Sequence, residues 1–118
     1  MLKTIPIEFE AAAAVHRLDV MLATTALARM RGLLARPPLR GGQAMFISPC
    51  NLIHTLGMEY AIDVVFVRRD GLVLKVARDV GPRRMRGHWG AASVLELAAG
   101  EAERCAIAPG VRLPLGAL

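Results

Sequence analysis

The sequence predicts a mainly β fold: a compact sandwich or jelly-roll-like single domain spanning residues 1–118, with one helix near residues 25–34. Three observations carry this. Short β-branched and apolar runs recur along the chain with turn signals between them. Only one stretch has helical spacing together with start and stop signals. No strand–helix alternation supports a doubly wound sheet.

The elements follow in order. "TIPIEF" (Thr4 to Phe9) alternates Ile5, Ile7 and Phe9 against Pro6 and Glu8, a strand whose proline belongs near its start or on an edge. "VHRLDVML" (Val15 to Leu22) is a weaker strand. "TTALARMRGLLAR" (Thr24 to Arg36) reads as the helix. Thr24 or Thr25 can cap it, Leu27, Met30 and Leu34 share one face, and "RPP" stops it. "AMFI" (Ala44 to Ile47) is a short strand. "AIDVVFVRRDGLVLKVARDV" (Ala61 to Val80) is a hairpin turning at "RDG". Its first arm is apolar on both faces, so it belongs inside the sheet, covered on each side. "GPRRMRGHWG" (Gly81 to Gly90) reads as an exposed basic loop. "SVLELA" (Ser93 to Ala98) is a strand that carries Glu96, either toward solvent or paired with an arginine if its face is covered. "GEAERCA" (Gly100 to Ala106) gives one or two helical turns, and "VRLPL" (Val111 to Leu115) a last strand.

Composition narrows the function classes. A chain of 118 residues that is 54% hydrophobic builds one core and is not disordered. No apolar run approaches the roughly 20 residues of a membrane helix. The N-terminus lacks a continuous apolar region, so it does not read as a secretory signal, and the cytoplasm is the expected compartment. The net charge of +5 comes mainly from 13 arginines beside 2 lysines. It is read as general surface charge ahead of nucleic-acid binding. Cys50 and Cys105 are far apart and form no C-x-x-C pair, so both should be free thiols with no metal between them.

The order "RGLLAR", "AMFI", "HTLGM", "IDVVF", "RDG", "VLELAAG", "IAPG" resembles the bacterial and archaeal domain-of-unknown-function family numbered 192, from about Val20 to Leu113. The resemblance implies a mainly β, sandwich-like domain and brings no established activity. Arg31, Gly32, Leu33, Leu34, Met45, Phe46, Asp63, Glu96 and Gly100 stand at the matching positions. Many members look like Trp-Met-Lys-Asn-Thr where this chain has His54, Thr55, Leu56, Gly57 and Met58, and often have Pro where it has Ala61.

The polar residues set the functional expectation. His54 is either a buried hydrogen-bonder or a site residue. Asp63 enters the most apolar strand, so it needs hydrogen-bond partners: backbone N–H groups, Thr55, His54 or an arginine such as Arg31, and it is expected to be buried and to anchor the His54–Met58 loop. The primary reading is a non-catalytic domain that binds a small ligand or a protein partner through His54, Thr55, Met58 and Asp63. The alternatives are an enzyme using His54 and Asp63, with Cys50 as a candidate nucleophile, or weak polyanion binding through Arg83, Arg84, Arg86 and Trp89. No cofactor fingerprint, metal motif or nucleophile elbow is present.

Overall fold

The apolar runs pair into two unequal sheets in the computed structural model, which describes residues 2–116 and 118. The elements are β1 (Thr4–Ala11), β2 (Ala14–Ala23), α1 (Ala26–Arg31), β3 (Gln43–Ile47), β4 (Leu52–His54), β5 (Ile62–Val67), β6 (Val73–Val80), β7 (Met85–Gly87), β8 (Ser93–Ala98) and α2 (Glu101–Arg104). Six strands form one sheet in the order β1-β2-β3-β8-β5-β6, and β4 pairs with β7. The mainly β class read from the sequence is what the chain adopts. β2 and β3 run parallel, joined by the crossover that contains α1; the other pairs are antiparallel.

Side-chain alternation puts an apolar cluster on each face of the large sheet. Leu18, Val20, Phe46, Val65 and Leu95 face one side, where Ala102, Cys105, Ile107 and Leu113 cover them. Met45, Ile47, Val64, Phe66 and Val94 face the other, under Leu33, Leu39 and Ile53. Two-sided coverage explains why all six residues of β5 are buried. β1 is an edge strand, where a ladder N–H missing at Pro6 is tolerated.

Several local expectations hold and others change. Thr25 Oγ1 accepts the Ala28 N–H (3.1 Å), the cap the sequence suggested. The helix stops at Gly32, whose φ is +52°. Its apolar face is not packed inward, since Leu27 and Met30 are each 77% exposed and α1 has no buried residue. Part of the basic 81–90 loop is strand β7. "VRLPL" forms one isolated bridge, Leu72 to Arg112, because Pro114 has no N–H to extend a ladder. In the β5–β6 turn, Gly71 (φ +91°) is required: a Cβ there would overlap the Leu113 carbonyl oxygen.

Asp63 is buried and fully engaged. Its Oδ1 accepts the Asp79 N–H (2.8 Å), and its Oδ2 accepts those of Gly100 and Ala102 (3.0 Å each). Gly100, the N-cap of α2, has no side chain with which to cap it, so Asp63 supplies the acceptor from the neighbouring strand. Backbone N–H groups are among the expected partners, but none of these three belongs to the His54–Met58 loop, so Asp63 does not anchor that loop. The His54–Met58 loop is held instead by Thr55, whose Oγ1 donates to the Gly81 carbonyl (2.7 Å) and accepts the Arg84 N–H (2.8 Å).

Asp63→Ala leaves three inward-facing backbone donors without their acceptor. It is expected to lower unfolding free energy by about 2–4 kcal/mol in urea denaturation. His54→Ala, at an exposed side chain, is expected to stay within about 0.5 kcal/mol of the parent. A neutral Asp63→Ala would contradict the assignment.

Candidate functional site

Strand β8 lies between β3 and β5, and an apolar cluster covers each face of the sheet there, so neither of its faces meets solvent. Register then decides where Glu96 goes. It sits opposite Met45 on one side and Val64 on the other, both fully buried, on the face covered by Leu33, Leu39 and Ile53. Glu96 is 4% exposed. No side-chain hydrogen bond or salt bridge reaches it among the described residues. The sequence expectation of solvent or an arginine partner is therefore not met. Burial pushes its carboxyl up to about 7.

Glu96 forms part of the wall of a narrow slot of about 80 Å³ beneath α1 and β4, with Arg29, Cys50, His54 and Met58. Such a volume holds a few waters or one small chemical group, since a single water needs roughly 10–15 Å³. The Arg29 guanidinium is turned away, with Nη1 donating to the Pro49 carbonyl (3.3 Å). Its buried Nε has no partner, and neither has the buried Tyr60 hydroxyl, which lies beside the Leu39 backbone without well-formed hydrogen-bond geometry. Burial raises Tyr60 above its ordinary value, and the Glu96 charge acts in the same direction.

The sequence-predicted residues divide. His54 and Met58 line the slot, and the His54 side chain makes no hydrogen bond among the described residues. Thr55 is buried in its loop-locking role, with its hydroxyl committed to Gly81 and Arg84. Asp63 points to the opposite face of the sheet from Glu96 and lines a different cleft, with Arg78 and Glu103. His54 and Asp63 are therefore not brought together as a base and its orienting carboxylate. Cys50 is half-buried, and its thiol donates to the Leu52 carbonyl (3.3 Å). Burial raises its pKa, the reverse of an activated nucleophile. Arg83 and Arg84 are exposed, Arg86 is half-buried and Trp89 is 98% exposed. None of the three arginines pairs with a carboxylate among the described residues. No described group of three His, Cys, Asp or Glu side chains converges as a metal site.

Because Glu96 binds its proton more tightly folded than unfolded, its contribution to stability is complete below about pH 4.5. It is lost as pH rises toward about 7. Glu96→Gln mimics the protonated acid. The variant is expected to match the parent in stability near pH 4 and to exceed it at pH 8 by about 3 kcal/mol, from the linkage between proton affinity and folding. Parallel stability–pH curves would contradict an unpaired, buried Glu96.

Comparison with known proteins adds the lineage. A crystal structure from Sinorhizobium meliloti 1021, provisionally described as a transcription regulator, is similar with a TM-score of 0.86 and 23% identity, over 95% of this chain and 93% of that one. A crystal structure of a protein of unknown function from Novosphingobium aromaticivorans DSM 12444 is similar with a TM-score of 0.85 and 24% identity, over 95% of this chain and 85% of that one. At these identities the likeness is one of fold. A search of curated proteins finds no match. No helix is long and apolar enough to cross a membrane among the described residues. Residues 7–115 match the family DUF192, described as Uncharacterized ACR, and the chain belongs to that family.

Proposed function

We propose that the domain is a non-catalytic recognition module that takes a small, neutral, hydrogen-bonding head group into the slot over Glu96. The unpartnered Glu96 carboxyl carries this reading. A buried polar group without a partner costs free energy, and a ligand that supplies the partner recovers it. Near neutral pH this carboxyl is divided between its two forms, so it can donate or accept. An amide offers both complements. Arg29 and Arg31 on the slot wall disfavour a cation. The volume restricts the ligand to one head group, belonging to a small molecule or to a side chain of a partner. His54 and Met58 flank it, Thr55 fixes their loop, and Asp63 supports the sheet from the far side. The raised Cys50 thiol gives the slot no nucleophile, which favours binding over catalysis.

Acetamide is a direct probe. Titrated into protein labelled at Met and Ile methyls, it is expected to give saturable shifts at Met58, Ile47 and Ile53, with methylammonium weaker. Glu96→Leu, which removes the polar group at similar volume, is expected to abolish them. An absence of saturable shifts, or equal shifts in the variant, would overturn the reading.

A further inference from the structure

The layer that covers the Glu96 face of the large sheet has an outer surface of its own. Ile53 of β4 and Leu33, just after α1, pack inward. Alternation then turns Leu52 and His54 outward, and Met85, paired with His54, shares that side. Gly87, paired with Leu52, has no side chain, which leaves an apolar groove of about 330 Å³ between Leu52 and Trp89. Met30 of α1 and Leu52 share the wall of the slot, so the patch continues onto the helix. Of the eight large apolar side chains exposed among the described residues, six belong to this layer: Leu27, Met30, Leu52, Leu56, Met85 and Trp89. A concentration of this kind marks an interaction surface.

The charge of this layer is positive. Residues 20–58 and 80–95, which contain its three segments, hold no Asp or Glu. The same segments carry Arg29, Arg31, Arg83, Arg84 and Arg86, and none of these pairs with a carboxylate among the described residues. Their guanidinium groups rest on backbone carbonyls instead. Arg86 Nη1 donates to the Met85 carbonyl (2.7 Å), Arg84 Nη1 to that of Arg83 (3.3 Å), and Arg31 Nε to that of Leu34 (3.0 Å). A carbonyl satisfies a donor but does not cancel its charge. The bordering negative groups are fewer than the arginines. Glu59 follows the second segment, Glu96 sits inside the slot, and Leu118, with the terminal carboxylate, lines the cleft on the far side of Cys50 and Asn51.

From the clustering of exposed Trp89, Met85, Leu52 and Met30 among unpaired arginines, we infer that this face docks on an anionic lipid bilayer surface. The arginines draw the domain to anionic headgroups, an attraction that fades over a Debye length. The apolar side chains then enter the boundary between headgroups and acyl chains, where an indole has both an apolar body and a polar tip to place. Each of the six is more than half exposed, so they stand proud of the layer. Proud side chains suit a bilayer, which yields around them, whereas a folded partner must carry a matching recess. Single-stranded nucleic acid is disfavoured because bases stack on aromatic rings, and five of the six side chains are Leu or Met. No described helix spans a membrane, so the contact is peripheral. The inference does not depend on a ligand in the Glu96 slot.

Trp89 is the only tryptophan, so its emission reports on this face directly. Vesicles of equimolar phosphatidylglycerol and phosphatidylcholine are expected to shift it to the blue, saturably, and vesicles of phosphatidylcholine alone to leave it in place. Arg83→Gln, Arg84→Gln and Arg86→Gln combined, which remove charge and keep the aliphatic stems, are expected to weaken binding at least about tenfold. Trp89→Ala, followed by co-flotation with the vesicles, is expected to weaken it several-fold. Arg17→Ala, on β2 and outside the face, is expected to leave it within about twofold of the parent. Circular dichroism of each variant reports retention of the fold. The inference is overturned if the anionic vesicles do not bind, if they bind with the Trp89 emission unshifted, or if phosphatidylcholine alone binds as well. It is equally overturned if the triple variant binds as the parent does, or if oligo(dT) quenches Trp89 while the vesicles leave it unshifted, which would assign the face to single-stranded nucleic acid.

Discussion

A carboxylate stays buried in a sheet only when donors saturate it, because desolvating the charge costs several kcal/mol. Asp63 meets that condition with three backbone N–H groups, and much of the structure is arranged around it. Through Asp79, which has a φ of +52°, it fixes the far end of the β5–β6 hairpin. Through Gly100 and Ala102 it fixes the turn out of β8 and caps α2. Glu101, one residue further, then reaches back so that its Oε1 accepts the Gly42 N–H (2.6 Å) ahead of β3, while Arg104 clasps the same carboxylate. The short helix is thereby tied to β5 and to the β3 approach at once. Ala102 and Cys105 close one face of the sheet.

The same constraint sets the register that strands Glu96. Asp63 pairs with Leu97, so Val64 pairs with Glu96, and the two acids project from opposite faces of adjacent strands. One is satisfied by backbone and serves the fold. The other is 4% exposed, borders the slot and has no partner in the described chain. Stability alone favours an apolar residue at such a position, since filling it with a carboxyl gains nothing without a partner. That contrast is the basis for proposing a site on the Glu96 face, where Cys50 lines the slot.

Much of the fold was legible because its signals are local. Thr25 as cap, Pro6 on an edge, the "RDG" turn and the doubly apolar β5 each depend on residues close in sequence. The site was less legible because its determinants are not local. Asp63 binds groups 16, 37 and 39 residues away, which no spacing rule reveals. Alternation in "SVLELA" suggested an outward Glu96, and only the packing of Leu33, Leu39 and Ile53, distant in sequence, over that face of the sheet turns it into an interior. The β4–β7 pair was missed because each strand is three residues long. The apolar face of α1 misled, since helical spacing shows which residues align but not what they face. One sequence signal for the slot was present: a lone acid between two leucines, in a strand that is otherwise apolar after Ser93.

The central claim is that Glu96 is buried, uncharged at mildly acidic pH and without a partner in the chain. Carbon-13 labelling of the glutamates and titration of the Glu96 carboxyl resonance, assigned by its absence in Glu96→Gln, measures this directly. The account predicts a midpoint near 7, set by desolvation. A midpoint in the ordinary glutamate range, roughly 4 to 4.5, would mean a solvated or paired carboxylate and would contradict it.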